Sequence, residues 1–221
     1  MTRNFLTLSA AALLLFTVSC KENPNETEAS GAETEAMAPA EAVTYNVDTE
    51  LSSIAWVGSK PTEDHTGNLS LSSGMVKVQD EALASGEFVI DMTSIEVTDL
   101  EGEEATNLKA HLEGTLPGKA TDFFNTPKYP TAKFVVTGVK TVDGKSVLEG
   151  NLTLKDVTKN VSFPVNVSYD DNKMMLKSEQ FTIDRTDWGI QYGSQKFSDK
   201  ILDSAISDDM KLTVNLVATK A

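Results

Sequence analysis

The chain is poor in the residues from which most reactive sites are built. Its 221 residues hold one cysteine, two histidines and no cluster of Lys or Arg. One cysteine excludes an intramolecular disulfide, so packing and strand pairing must hold the fold. His65 and His111 lie far apart, with no His-x-His, no helical pair and no cysteine partner, which argues against a metal site. The formal net charge of −14 without a basic patch excludes nucleic acid as a partner and disfavours peripheral contact with anionic head groups. There is no Gly-x-Ser-x-Gly elbow and no Gly-rich phosphate loop, so the chain reads as a non-enzyme.

The N-terminal region is of another kind. Arg3 precedes the apolar run Phe5–Val18 and small residues, the layout of a secretory signal peptide over 1–19. The run is too short for a membrane-spanning helix. Cys20 follows at once, with Thr17-Val18-Ser19 before it, and reads as the lipidated residue of a bacterial lipoprotein, although Thr17 stands where leucine is usual. Residues 20–43 carry Glu22, Glu26, Glu28, Glu33, Glu35 and Glu41 against Lys21, with Pro24, Pro39 and Gly31 and no aromatic residue. Such a composition cannot bury enough apolar surface to fold, so a disordered acidic tether is expected.

From Thr44 to the end, 44–221, period-two alternation dominates. Phe88, Ile90 and Met92 face one way and Glu87 and Asp91 the other; Val161, Phe163, Val165 and Val167 repeat the pattern, as do Leu212, Val214, Leu216 and Ala218. Leu152 and Leu154 share a face with Gly150. These are antiparallel strands with one buried face, roughly eight to nine of them. Turn signals stand at Ser73-Gly74, Asp143-Gly144 and Asp171-Asn172, and a change of apolar phase within Met174–Ile183 points to a bulge or bend in that strand. Glu101–Gly114 lacks alternation, begins acidic and ends on glycine, so a short helix is expected there, with Leu108, His111 and Leu112 on one face. A second short helix or turn is expected at Asp199–Ser204.

Three motifs occur in order: DFFNTPKYPTAKF at Asp122–Phe134, LTLKDVTKNVSFPV at Leu152–Val165 and FTIDRTDWGIQYG at Phe181–Gly193. Together they resemble the YceI-like family of periplasmic polyisoprenoid- and lipid-binding proteins, from about Tyr45 to Ala218. The resemblance implies an all-β fold, an antiparallel lipocalin-like β-barrel of about eight strands with one or two short helices. Asp156 replaces the family's usual turn glycine, and aspartate tolerates the left-handed backbone such a turn needs.

An eight-stranded interior is either filled by side chains or holds one small ligand. The inward set is Trp56, Phe88, Ile90, Met92, Phe134, Leu152, Phe163, Phe181, Ile183, Trp188 and Ile190, with Leu108, Leu112, Phe123 and Phe124 closing one end. The resemblance implies that this set binds an isoprenoid or fatty-acid-derived lipid, and no other cofactor is expected. His65 either meets a head group or caps a turn; His111 points into a mouth or to solvent; Arg185 either forks onto a carboxylate beside Asp184 and Asp187 or holds a head group. The chain thus reads as an exported, membrane-anchored lipoprotein of a bacterial cell envelope that carries or sequesters a lipid. The alternative is a surface-exposed interaction or stress-protective protein whose barrel is only a scaffold. A homodimer is left open.

Overall fold

A computed structural model describes residues 27–199 and 204–221. The expected signal peptide and Cys20 lie outside the described residues, as does most of the helix or turn expected at Asp199–Ser204. No helix among the described residues is long and apolar enough to cross a membrane.

Among the described residues eleven antiparallel strands form one sheet: β1 (Ser30–Gly31), β2 (Val43–Val47), β3 (Ser53–Lys60), β4 (Glu63–Gln79), β5 (Ala82–Val97), β6 (Thr131–Val142), β7 (Lys145–Leu154), β8 (Val157–Asp170), β9 (Lys173–Ser178), β10 (Phe181–Asp184) and β11 (Asp209–Lys220). From β4 the pairing runs through β5, β6, β7 and β8. It then passes through β9 to β11 and returns by way of β2 and β3 to β4. The ladder therefore closes on itself. β2 and β3 share one position in the ring, and β9 and β10 share another, because the long β4 and β11 can each pair with two short strands.

Two-residue turns join β3 to β4, β4 to β5, β6 to β7, β7 to β8 and β8 to β9. Asp143 and Gly144 both take positive φ between β6 and β7, and Asp171 does so between β8 and β9. The β7–β8 turn places Lys155 and Asp156 at φ 47 and 64, so aspartate fills the position the family gives to glycine.

Two turn expectations need correction. Ser73-Gly74 lies inside β4, beside a register shift between Leu71 and Ser73. There Gly74 admits Val47 and Phe88, which would stand 2.7 and 3.0 Å from a Cβ. The true β4–β5 turn is Asp80-Glu81, both at positive φ. The phase change in Met174–Ile183, expected as a bulge or bend within one strand, is a break between two strands. β9 pairs with β8 and the C-terminal half of β11, whereas β10 moves to the N-terminal half.

The one α-helix among the described residues, α1 (Gly102–Glu113), follows β5 and lies against it. Glu103 and Glu104 occupy its first turn, favourable for the helix dipole, and Gly114 ends it in the left-handed conformation.

Residues 27–42, expected to be a disordered tether, instead lie along the barrel wall. Thr27 is buried; its amide donates to Thr182 O at 3.0 Å and its hydroxyl to Ser162 O at 2.6 Å, so it bridges β10 and β8. β1 then pairs with Lys159 and Asn160, and Asn151 exchanges two hydrogen bonds with the backbone of Glu33. Ala36 N donates to Val136 O, and Ala29 and Ala36 pack against the core. The physical reason is that this segment is held by backbone hydrogen bonds to an incompletely paired wall, and small alanines suffice to fit it there.

Candidate functional site

Alternation along each strand sends one set of side chains into the ring, where they form a nearly continuous apolar shell. Four phenylalanines from four strands line up across it. Phe88 and Phe134 stand opposite one another in register with ring centroids 6.2 Å apart, Phe134 and Phe163 are 5.7 Å apart, and Phe163 stacks on Phe181 at 4.1 Å and 5°. Gly150 is required for this row. A Cβ there would lie 2.2 Å from Phe134 Cζ, so a residue without one lets the ring lie flat over β7.

The shell does not close on itself. It encloses a cavity of about 180 Å³ with an almost wholly apolar wall. Every apolar residue of the expected inward and end-closing sets lines it except Trp188. Trp188 is fully buried in a single turn of 3-10 helix (Arg185–Trp188) and its indole N–H donates to Leu152 O at 3.1 Å, so it braces the barrel. Sequence reading missed further wall residues, among them Leu71, Ile95, Leu148, Leu176 and Leu216. Leu216 was assigned to a buried face but not to the cavity. Leu176 follows the alternation of Met174 and could have been found by extending it, whereas Ile95 stands out of phase with Phe88, Ile90 and Met92, beyond the register shift between β4 and β5 at Asn68–Ser70, and could not.

One end of the cavity is a mouth. It is bordered by Gly58–Lys60, His65, Leu108 and Leu112 of α1, Phe123 and Phe124, and Ile206–Ser207. Backbone hydrogen bonds fasten these pieces together: Ser207 N to Ser59 O at 2.8 Å and Phe124 N to Leu112 O at 3.1 Å. Lys155 reaches from the β7–β8 turn to donate to Phe123 O at 2.6 Å, and its burial, then the nearby Lys128 charge, push its pKa down.

The three polar candidates separate clearly. His65 lines the mouth, with Nδ1 2.9 Å from Asp99 Oδ2 and Nε2 3.7 Å from Glu63 Oε1. Burial alone would raise the Asp99 pKa, but hydrogen bonds from Thr66 N and His65 outweigh it and hold the carboxyl below its ordinary value.

Arg185 also reaches the cavity wall, yet each of its three guanidinium nitrogens already donates to a backbone carbonyl. Nε donates to Ser207 O at 2.9 Å, Nη1 to Ile190 O at 2.7 Å and Nη2 to Ile206 O at 3.2 Å, with Asp208 at 3.6 Å. The guanidinium is 4 % exposed, and burial pushes its pKa down against the raising influence of Asp208 and Asp184. It locks the corner after β10 through carbonyls, not through Asp184 or Asp187; Asp184 pairs with Lys196 instead.

His111 does not line the cavity. Its Nε2 lies 2.8 Å from Asp122 Oδ2, and its ring meets Phe123 and Tyr192 edge-on at 5.0 and 5.1 Å. It fastens α1 to the loop beneath it. Among the described residues no group of three or more His, Cys, Asp or Glu could hold a metal ion.

A hollow apolar barrel with a fastened mouth is a binding architecture, and comparison with known proteins places it. The YceI-like domain matches residues 45–218. The chain belongs to the YceI-like domain family. Among curated relatives, UPF0312 protein plu2095 of Photorhabdus laumondii is 49 % identical over 51 residues, which is 23 % of this chain and 27 % of that protein. This chain therefore spans about a quarter of the length of the curated relative it matches. Among solved structures, Burkholderia cenocepacia BcnA superposes with a TM-score of 0.59 at 25 % identity, covering 78 % of this chain and 99 % of BcnA. A polyisoprenoid-binding domain from Saccharophagus degradans, implicated in plant cell wall breakdown, superposes with a TM-score of 0.55 at 16 % identity over 81 % of this chain and 99 % of that one. The latter likeness is one of fold.

Proposed function

We propose that this YceI-like protein binds an isoprenoid-type or other long-chain lipid in its barrel and carries or sequesters it while tethered to a membrane through a lipid on Cys20. The observation that carries the reading is the hollow: a cavity of about 180 Å³ walled by leucines, isoleucines and a row of phenylalanines, open at one fastened mouth. A wall with so little polar surface offers an oily tail no hydrogen bonds, so the driving force is burial, about 0.8 kcal/mol per methylene. Ten enclosed carbons would then contribute roughly 8 kcal/mol, enough to offset much of the entropy lost on binding. The fold shared with a polyisoprenoid-binding domain supports the same class of ligand.

Of the polar residues, His65 is the one that fits a head-group contact, since it borders the mouth while the buried Arg185 is engaged by three backbone carbonyls and His111 stands off the wall. A barrel used only as a scaffold would be expected to fill its interior, and the cavity favours the carrier over that alternative.

Organic extraction of the natively purified protein followed by mass spectrometry tests the proposal. A stoichiometric long-chain lipid is expected. An empty extract, together with no uptake of the C20 alcohol geranylgeraniol by the protein, overturns it. Labelling of the growing host with a radioactive fatty acid tests the anchor: label incorporated in the parent and absent from Cys20→Ala is expected.

A further inference from the structure

The exposed aromatic side chains among the described residues gather at one place. Among the described residues the large apolar side chains left exposed are mostly single aliphatic or methionine residues spread over the outer strands, such as Met75, Val139 and Met175. The two aromatic ones, Tyr192 at 38 % and Phe197 at 56 % exposure, both belong to the short stretch after the cavity-lining Ile190, which is held to the mouth by Ile206 N donating to Gly193 O at 2.8 Å. Tyr192 rests on Phe123, a cavity-wall residue, at 5.4 Å between centroids. Phe197 ends a short 3-10 turn (Gln195–Phe197) whose Lys196 pairs with Asp184 and Asp208, the residues that flank and face Arg185.

The lysines around this patch are paired. Lys60 pairs with Glu63, Lys119 with Asp122, and Lys196 with both Asp184 and Asp208, while Asp99 and Asp209 add further carboxylates, so the rim carries no free basic cluster and a small acidic excess. The Lys119 ammonium lies 5.1 Å from the centre of the Tyr192 ring. Aromatic rings with lysines beside them are the composition that settles at a membrane–water boundary.

Chain length points the same way. Thr27 is docked beside Thr182, three residues before Arg185 at the mouth. Six residues, Lys21–Glu26, separate it from Cys20. Seven steps of the chain span at most about 25 Å. A lipid on Cys20 would thus keep Thr27 within that distance of the bilayer, and the mouth end within about 10 Å more.

We infer that the mouth, led by Phe197 and Tyr192, docks onto the phospholipid bilayer that holds the anchor, so that cargo passes between bilayer and barrel without crossing water. This rests on the lipid-anchored carrier reading and adds the surface and orientation by which the carrier loads. The contact is apolar, so it should persist on zwitterionic lipid and weaken as anionic lipid is added.

The test uses the full lipoprotein reconstituted in phosphatidylcholine vesicles with and without bromine on the acyl chains, in the parent and in Phe197→Trp. The parent's Trp56 and Trp188 are buried, so bromine should leave their emission nearly unchanged. Bromine should remove most of the emission that Phe197→Trp adds; equal emission in both kinds of vesicle overturns the docking. A second arm follows geranylgeraniol uptake. Phe197→Ser should slow uptake from vesicles several-fold and leave uptake from a cyclodextrin complex unchanged, whereas equal slowing from both sources counts against docking. If Phe197→Trp is quenched but no isoprenoid enters from either source, the docking stands and the carrier reading falls.

Discussion

Removing one ring from the phenylalanine row separates a ligand cavity from a packed core. Phe163 is 4 % exposed, stacks on Phe181 at 4.1 Å and leans on Phe134 at 5.7 Å, while also lining the cavity. Phe→Ala in a packed core costs about 3–5 kcal/mol, and the lost ring pairing accounts for about 0.5–1.5 kcal/mol of such a change. Part of the ring borders empty space and makes fewer contacts than in a filled core, so the lower end, about 3 kcal/mol, is expected for Phe163→Ala. Met174 supplies the control, being fully buried but absent from the cavity wall. Met174→Ala should cost about 2–5 kcal/mol. The assay is urea unfolding with and without geranylgeraniol. A ligand at a hundred times its Kd stabilises the parent by about 2.7 kcal/mol. Met174→Ala should keep that increment, and Phe163→Ala should lose about half of it through weaker binding. Equal increments in both variants would refute the claim that the phenylalanine row is a ligand wall.

Further outcomes follow from the same geometry. Gly150→Ala puts a methyl 2.2 Å from Phe134 Cζ, and the open direction for the ring is the cavity. A loss of about 1–3 kcal/mol in stability is expected together with reduced lipid uptake, and an unchanged melting curve with unchanged uptake would contradict it. Trp56 lines the cavity and Trp188 does not, so ligand-dependent emission should survive Trp188→Phe and vanish in Trp56→Phe. Burial raises the Asp122 pKa, yet hydrogen bonds from His111 and Lys119 outweigh it and hold the carboxyl below its ordinary value. A depressed folded-state pKa gives stability that is present above the unfolded value of about 3.9 and is lost as pH falls through the lower folded value. Urea midpoints should therefore fall below about pH 4, and less steeply in Asp122→Asn; parallel curves for parent and variant would show that the latch carries none of the acid sensitivity.

Much of the wall could be read directly, because Val161, Phe163 and Val165 alternate with polar neighbours and a strand has no other way to place them. Asp143-Gly144 was equally plain, since both of its residues take the left-handed backbone for which such pairs are selected. Ser73-Gly74 looks the same in a sequence, but its glycine serves a close approach of Val47 and Phe88 inside a paired strand. The Asp80-Glu81 turn has no glycine or asparagine to mark it. Composition misjudged residues 27–42 because it weighs apolar content, whereas their docking runs through backbone hydrogen bonds. Asn151 and Asn160, buried amides in the middle of strands, were the available signal that something must cover them. The hollow itself was out of reach. Alternation tells which side chains point inward, but whether they meet depends on how the ring of strands closes.

The strap across β8, β7 and β6 changes where this molecule begins. Family likeness starts at Tyr45, yet an expression variant cut there would discard Thr27 and the short pairing at Ser30–Gly31. It would lay bare the amides of Asn151 and Asn160 and the free flank of β8. Such a truncated barrel would carry an open seam that another chain's strand could zip onto, and sticky, self-associating preparations would follow from the cloning boundary rather than from the protein.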